Sequence, residues 1–363
     1  MKLAFVIDFL MQRGGAEWLL ETMHSFYPNA DIFTLLYEPG QTRDYFRDKN
    51  IIVPTVLKRI PFMKRHWRKY LPLFPFFMER FDFSGYDLVV SISFLFAKGI
   101  RVPPQTRHIC YCLTPMRQAW DEKQMEYRFI SRFIWGMLRR WDIETANRPH
   151  KYIAISETVA ARVKQRYKRD STILYPPVDT AFFTAPDSEP LALHGKEYFL
   201  VVSRLVPYKK VDLVVKTFRN LSFNLKIVGS GRQENKLKEI AQDAGNIEFL
   251  GEVSPEKLRS LYYNCQAVIC AQEEDFGIVA AEAQVCGKPV IAFARGGITE
   301  IITDKETGIL FQSQTTASLS EAIHKTLATS FNPGIIREKS TARFSKNQFK
   351  EKLSILLKQL IIP

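Results

Sequence analysis

Apolar runs alternate with amphipathic stretches along this 363-residue sequence, stop, and then start alternating again. That doubled pattern leaves few folds open. In the first half KLAFVID, DIFTLLY, YDLVVSI, RHICYC, KYIAIS and STILYPP read as strands, while AEWLLETMHSFY and SETVAARVKQRY read as helices. Ser156 fits an N-cap, with Glu157 in the first turn behind it. After the break, YFLVVSRL, NLKIVGSG, NIEFLG, AVICA and PVIAFA each lead into a helical segment. Strand and helix in alternation build a parallel sheet wrapped by helices, so the chain is α/β, with two Rossmann-like domains and a ligand cleft between them. The break is PPVDTAFFTAPDSEPLALHGKE, with four prolines and little periodicity, which places the boundary near 180–196. Domains over 1–183 and 190–343 follow, a size that suits the length and the 46% hydrophobic content. Residues 344–363 carry apolar side chains at helical spacing (Phe344, Phe349, Leu353, Leu356, Leu357, Leu360).

Within the second half, EEDFGIVAAE sets seven residues between Glu274 and Glu282. Glu274 falls in the loop leaving a strand, Gly277 permits a tight turn, and a helix starting at Ile278 runs to a stop at Gly287. The start of such a helix presents unpaired N–H groups and a positive dipole end. An anionic group such as a diphosphate therefore belongs near Gly277, Ile278 and Val279, and Glu282, one turn on, can accept from a ribose diol. Arg204 and Lys209, in SRLVPYKK after another strand, offer a planar fork and a point charge suited to the same diphosphate; taken alone, they fit a solvated basic loop equally well. Lys210 reads as surface. Gly14 and Gly15, ahead of the first helix, and Gly229 and Gly231, in VGSGR, can bring backbone close to phosphate or simply turn the chain.

These strings occur in an order that resembles retaining glycosyltransferases of family 4, whose fold is GT-B. EEDFGIVAAE is similar to that family's E-x7-E element. SRLVPYKKVDLVVKTF, KIVGSG, NIEFLGEVS and GKPVIAFARGGITEII are similar to the rest of its C-terminal domain. Upstream, PLFPFFMERFDFSGYDLVVSISFLFAKGI, HICYCLTPMRQAWD and YPPVD resemble a bacterial subgroup that builds surface polysaccharides (lipopolysaccharide, capsule or O-antigen) from mannose, rhamnose or fucose donors. The resemblance implies a terminal helix crossing back onto the N-terminal domain. It implies a nucleotide diphosphate sugar as donor, GDP-linked in preference, with no separate cofactor, and transfer of a mannose-like hexose to a lipid-linked oligosaccharide. Glu274, Arg204 and Lys209 would be catalytic, with Glu274 at the donor sugar and the two cations on the departing phosphate in a front-face reaction. Arg117 and Asp121 would touch acceptor or sugar. No Asp-x-Asp occurs, so no metal site is expected. One position departs from the subgroup: its usual CYCHTPMR is CYCLTPMR here, with Leu113 where a histidine stands. His108, by strand alternation, faces the other way. Leu113 keeps a second reading open, a catalytically altered paralogue that binds membranes or partner enzymes.

The formal net charge of +13 points to anionic partners. No nucleic-acid motif accompanies it. The interleaved basic and aromatic stretch within 56–80 suits an anionic membrane surface, which places the protein in the cytoplasm, peripheral on the inner face of the membrane. MKLAFVIDFL is too short to span a bilayer and reads as a first strand. Five cysteines without a CxxC read as reduced core thiols.

Overall fold

The computed structural model describes residues 1–60, 63–120, 132–184 and 197–361. The chain divides into two compact units, Met1–Pro177 with Phe349–Pro363, and Val178–Gln348.

The first unit holds β1 (Leu3–Leu10), β2 (Asp31–Tyr37), β3 (Ile51–Ile52), β4 (Leu88–Ser93), β5 (Arg107–Cys112), β6 (Lys151–Ala154) and β7 (Ser171–Ile173). They form one sheet in the order β3-β2-β1-β4-β5-β6-β7, parallel throughout. Every residue of β1 and β4 is buried, as a central strand covered on both faces requires. The helix Glu157–Tyr167 starts at Ser156, whose hydroxyl accepts from the Val159 N–H at 3.0 Å. From Phe349 the helix Lys346–Ile361 belongs to this unit. Phe349, Leu353 and Leu357 are buried, with Phe349 against the rings of Phe26 and Tyr111.

Many of the described apolar side chains in the stretch read as a membrane-facing interleave pack into the core. The stretch breaks into short helical pieces, Thr55–Arg59, Met63–His66, Trp67–Leu73 and Phe74–Met78. Leu57, Met63, Leu71, Phe74 and Met78 are buried, and Ile60, Trp67, Tyr70 and Phe77 pack against the same core, with Trp67 4.7 Å from the Phe9 ring. Aromatic rings carry enough apolar area that a nearby unfilled sheet face outcompetes solvent for them. Among the described side chains that stay exposed are Val56, Leu73 and Phe76, with Arg59, Arg68, Lys69 and Arg80.

The second unit holds β8 (Tyr198–Val202), β9 (Asn224–Val228), β10 (Ile247–Gly251), β11 (Val268–Cys270), β12 (Val290–Phe293) and β13 (Gly308–Phe311), in the parallel order β10-β9-β8-β11-β12-β13. Residues 178–184, inside the proline-bearing break and expected with the first domain up to 183, belong here. Val178 bridges to Ser345, its N–H donates to the Phe344 carbonyl at 2.7 Å, and Phe183 packs edge-on against Tyr262. All five cysteines are buried free thiols.

Candidate active site

Sheet order decides where the polar residues of the second unit meet. β8 and β11 are neighbours, yet the chain leaves β8 toward β9 and leaves β11 toward β12, so their following loops diverge at the carboxyl ends of the strands. In open α/β sheets that divergence is where ligands bind. The loop after β8 carries Arg204 and Lys209; the loop after β11 carries Gln272 and Glu274.

Across this point Lys209 Nζ lies 2.6 Å from Glu274 Oε1, with 16% of the lysine side chain and 21% of the glutamate side chain exposed. Burial opposes the charge on Lys209, but Glu274 and Tyr208 together outweigh it and the ammonium's pKa is raised. The same carboxylate oxygen accepts from Gln272, which is 6% exposed. Arg204 is on the same loop as Lys209, and its guanidinium donates to the Tyr208 hydroxyl at 2.5 Å. Arg204, Lys209 and Glu274 thus lie on the two loops that diverge here, with Lys209 and Glu274 in direct contact.

The walls are built from close-packed backbone. Gly229 has φ 121°, and a Cβ there would sit 2.0 Å from the Ser203 carbonyl oxygen; at Gly231 it would meet the Leu205 carbonyl at 2.5 Å. Ser203 and Leu205 donate back to the Val228 and Ser230 carbonyls at 3.0 and 2.8 Å. The loop after β9 is therefore laced to the Arg204 loop in a way that only glycine allows. Gly277 (φ 108°) starts the helix Ile278–Val285, and no side chain caps that end. The first-turn N–H groups of Ile278 and Val279 sit four and five residues beyond Glu274 in the chain. Glu282, half-buried, accepts from the Tyr262 hydroxyl at 2.9 Å.

The remaining expected residues lie in the first unit. Gly14 precedes the helix Gly15–Phe26 and its N–H donates to Glu17 Oε2 at 3.1 Å, while a Cβ on Gly15 would meet nothing within 4 Å. Arg117 opens a short helix, Arg117–Trp120, after β5; Asp121 lies outside the described residues. Leu113, just past β5, is half-buried, and its N–H donates to the Ser93 carbonyl. His108 is fully buried at the opposite end of β5, where Nε2 meets the Ser91 hydroxyl at 2.8 Å; burial pushes its pKa down to about 3.

Sequence reasoning missed several groups. Asp8 of β1 is fully buried and accepts from the N–H groups of Phe94, Leu95, Phe96 and Ala97 at 2.5–2.9 Å, fixing the loop after β4. Burial raises its pKa to about 6 against those four donors. Lys98 is buried with Asp142 at 3.1 Å, and Asp142 also accepts from Trp120 Nε1 at 2.8 Å and from the Tyr167 hydroxyl. That network anchors the helix bearing Arg117. In the second unit Gly297 N–H donates to the Glu274 carbonyl at 2.8 Å, and a Cβ on Gly296 would lie 2.2 Å from the same oxygen. The glycine pair of ARGG was the available signal for that contact. Nothing in the sequence pointed to Gln272 or Tyr262. Among the described residues no group of three or more His, Cys, Asp or Glu is arranged to hold a metal ion.

Residues 13–182 match the family model described as Glycosyltransferase Family 4, and residues 185–351 the one described as Glycosyl transferases group 1. An uncharacterized glycosyltransferase of Methanocaldococcus jannaschii is 30% identical over 177 residues, covering 48% of this chain and 48% of that protein. A D-inositol 3-phosphate glycosyltransferase of Mycobacteroides abscessus is 34% identical over 170 residues, 43% of this chain and 38% of that protein. The matches thus take in about half or less of these curated relatives. Among solved structures, Anabaena Alr3699/HepE, crystallised with UDP, has a TM-score of 0.75 over 99% of this chain and 100% of that one at 17% identity, a likeness of fold.

Proposed function

We propose, from the two glycosyltransferase family models that its halves match and from its GT-B-like fold, that the chain is a retaining, metal-independent hexosyltransferase of family 4 type. Its donor is a nucleotide diphosphate sugar, GDP-linked and mannose-like in the first instance. Its acceptor is a lipid-linked oligosaccharide of surface-polysaccharide assembly. The observation that carries this reading is the Lys209–Glu274 pair at the β8/β11 divergence, beside the uncapped start of the helix Ile278–Val285.

An ammonium has three N–H donors, so Lys209 can keep Glu274 and still reach phosphate oxygens. Arg204 adds a planar fork. Charge builds on the diphosphate as the glycosidic bond breaks, and these cations together with the Ile278 and Val279 N–H groups stabilise it more in the transition state than in the bound donor. Glu274, held by Lys209 and Gln272, meets hydroxyls of the donor sugar, and Glu282 meets the ribose. The departing phosphate then assists removal of the acceptor proton on the same face, which retains the anomeric configuration.

Exposed Val56, Leu73 and Phe76 among Arg59, Arg68, Lys69 and Arg80 support docking on the anionic inner face of the membrane, where a lipid-linked acceptor is held. Leu113 favours a second reading, an altered paralogue without transfer activity. The test is nucleotide release that depends on acceptor, across UDP-, GDP-, ADP- and dTDP-sugars with a lipid-diphosphate saccharide. Turnover with any donor supports the enzyme. Neither transfer nor hydrolysis with every donor sinks it.

A further inference from the structure

The site contains a polar side chain with no part in the chemistry outlined so far. Tyr262 lies in the helix Pro255–Asn264, fully buried, with its ring edge-on to Phe183 at 5.8 Å. Its hydroxyl donates to Glu282 Oε2 at 2.9 Å. A tyrosine hydroxyl buried with a carboxylate stays protonated across the working pH range, because ionising it would place two negative charges side by side. It is therefore a fixed donor. Glu282 projects from a short helix, and a glutamate has three side-chain torsions to settle before its carboxylate can face a ligand. An ionised carboxylate offers about four lone-pair sites, and the tyrosine hydroxyl takes one of them.

We propose that Tyr262 is a positioning residue for nucleotide recognition: its hydroxyl holds Glu282 in the orientation that accepts a ribose diol, and so sets the preference for ribo- over deoxyribonucleotides. This rests on the ribose role given to Glu282. A carboxylate oriented in advance binds both hydroxyls of a vicinal diol without first losing rotamer freedom, and a sugar lacking one hydroxyl leaves part of it unpaired. Without the tyrosine hydroxyl the carboxylate would lose that constraint on its orientation. The diol would lose its advantage while the diphosphate contacts stayed intact.

The experiment is calorimetric titration of the full chain with UDP, 2′-deoxy-UDP, GDP, 2′-deoxy-GDP and pyrophosphate. Wild type, Tyr262→Phe, Glu282→Ala and the double variant are compared. We expect the wild type to favour its ribonucleotide by about tenfold or more, and Tyr262→Phe to cut that ratio below about threefold with pyrophosphate affinity unchanged. The double variant should match Glu282→Ala, since the hydroxyl acts only through the carboxylate. A ratio unchanged in Tyr262→Phe but lost in Glu282→Ala overturns the tyrosine's role alone. A wild type with no preference overturns the ribose role of Glu282, and the proposal with it. Should Tyr262→Phe fail to fold, as judged by circular dichroism, Glu282→Gln is the substitute. It keeps an acceptor for the tyrosine, so part of the preference should survive; loss as complete as in Glu282→Ala counts against positioning.

Discussion

Lys209 and Arg204 share a loop but differ in setting, and that difference should show in kinetics. The lysine is largely buried against Glu274, whereas the arginine is exposed beside Tyr208. Lys209→Ala leaves a half-buried carboxylate without its cation as well as removing a phosphate donor. We predict a fall in kcat/KM of roughly tenfold to a few hundredfold for each variant, mostly in kcat, with Lys209→Ala the more severe. Steady-state rates with the active donor check this, and a double variant of near wild-type turnover would move the phosphate site elsewhere. Leu113 invites the converse experiment. In an active enzyme, Leu113→His should alter donor preference more than rate; in an inactive paralogue it should create turnover. His108 serves stability. Its folded pKa lies below its ordinary value of 6.5, near 3, so the unfolded chain takes up the proton first as pH falls. Its contribution is complete above about pH 6.5 and is lost on the way down to 3, at about 1.4 kcal/mol per pH unit within that window. Urea denaturation should show the gap between wild type and His108→Gln narrowing as pH drops from 6.5 to 4. Parallel curves would discredit the assignment.

At the scale of elements, the sequence disclosed regular structure well and partnerships poorly. Eleven strand-like strings correspond to β1, β2, β4–β7 and β8–β12, because buried parallel strands read as continuous apolar runs. β3 and β13 escaped notice, the first being only Ile51–Ile52 and the second the four residues Gly308–Phe311. Glu274, Lys209 and Arg204 were legible as candidates because their loops follow strands. That Lys209 would touch Glu274 was not, since 65 positions separate them and only strand order brings them together. The division of the basic-aromatic stretch between core and surface was illegible for a related reason. Composition cannot say which rings have a sheet face to fill, and Trp67 found Phe9. The residual exposed set gives a sharper test of the membrane proposal. Replacing Leu73 and Phe76 by serine should reduce sedimentation with anionic phosphatidylglycerol vesicles severalfold, leaving melting temperature nearly unchanged because both side chains are about half exposed. Wild-type protein that ignores such vesicles would remove the membrane from the account.

At the scale of the molecule, the chain passes out of the first unit after Pro177 and returns to it at Phe349. Leu353 is fully buried there, so Leu353→Ala should cost about 2–5 kcal/mol, drawn from the first unit's stability. Calorimetry should show one transition shifted down, while nucleotide affinity for the second unit at temperatures below it stays the same. Where the second unit begins and ends, its own chain is drawn together: Val178 pairs with Ser345, and Lys346 meets Asp179 at 2.7 Å. The order of synthesis gives that layout a consequence. A ribosome makes the first unit's sheet early but supplies the helix that covers Tyr111 and Phe26 only after all of 178–348, a delay on the order of 10–40 s at usual elongation rates. During that interval the nascent sheet waits with an apolar face uncovered, while the later-made unit, whose chain is already contiguous, can fold to completion. The last unit translated is the first able to finish, and an open apolar face on the earlier one is what a chaperone would meet.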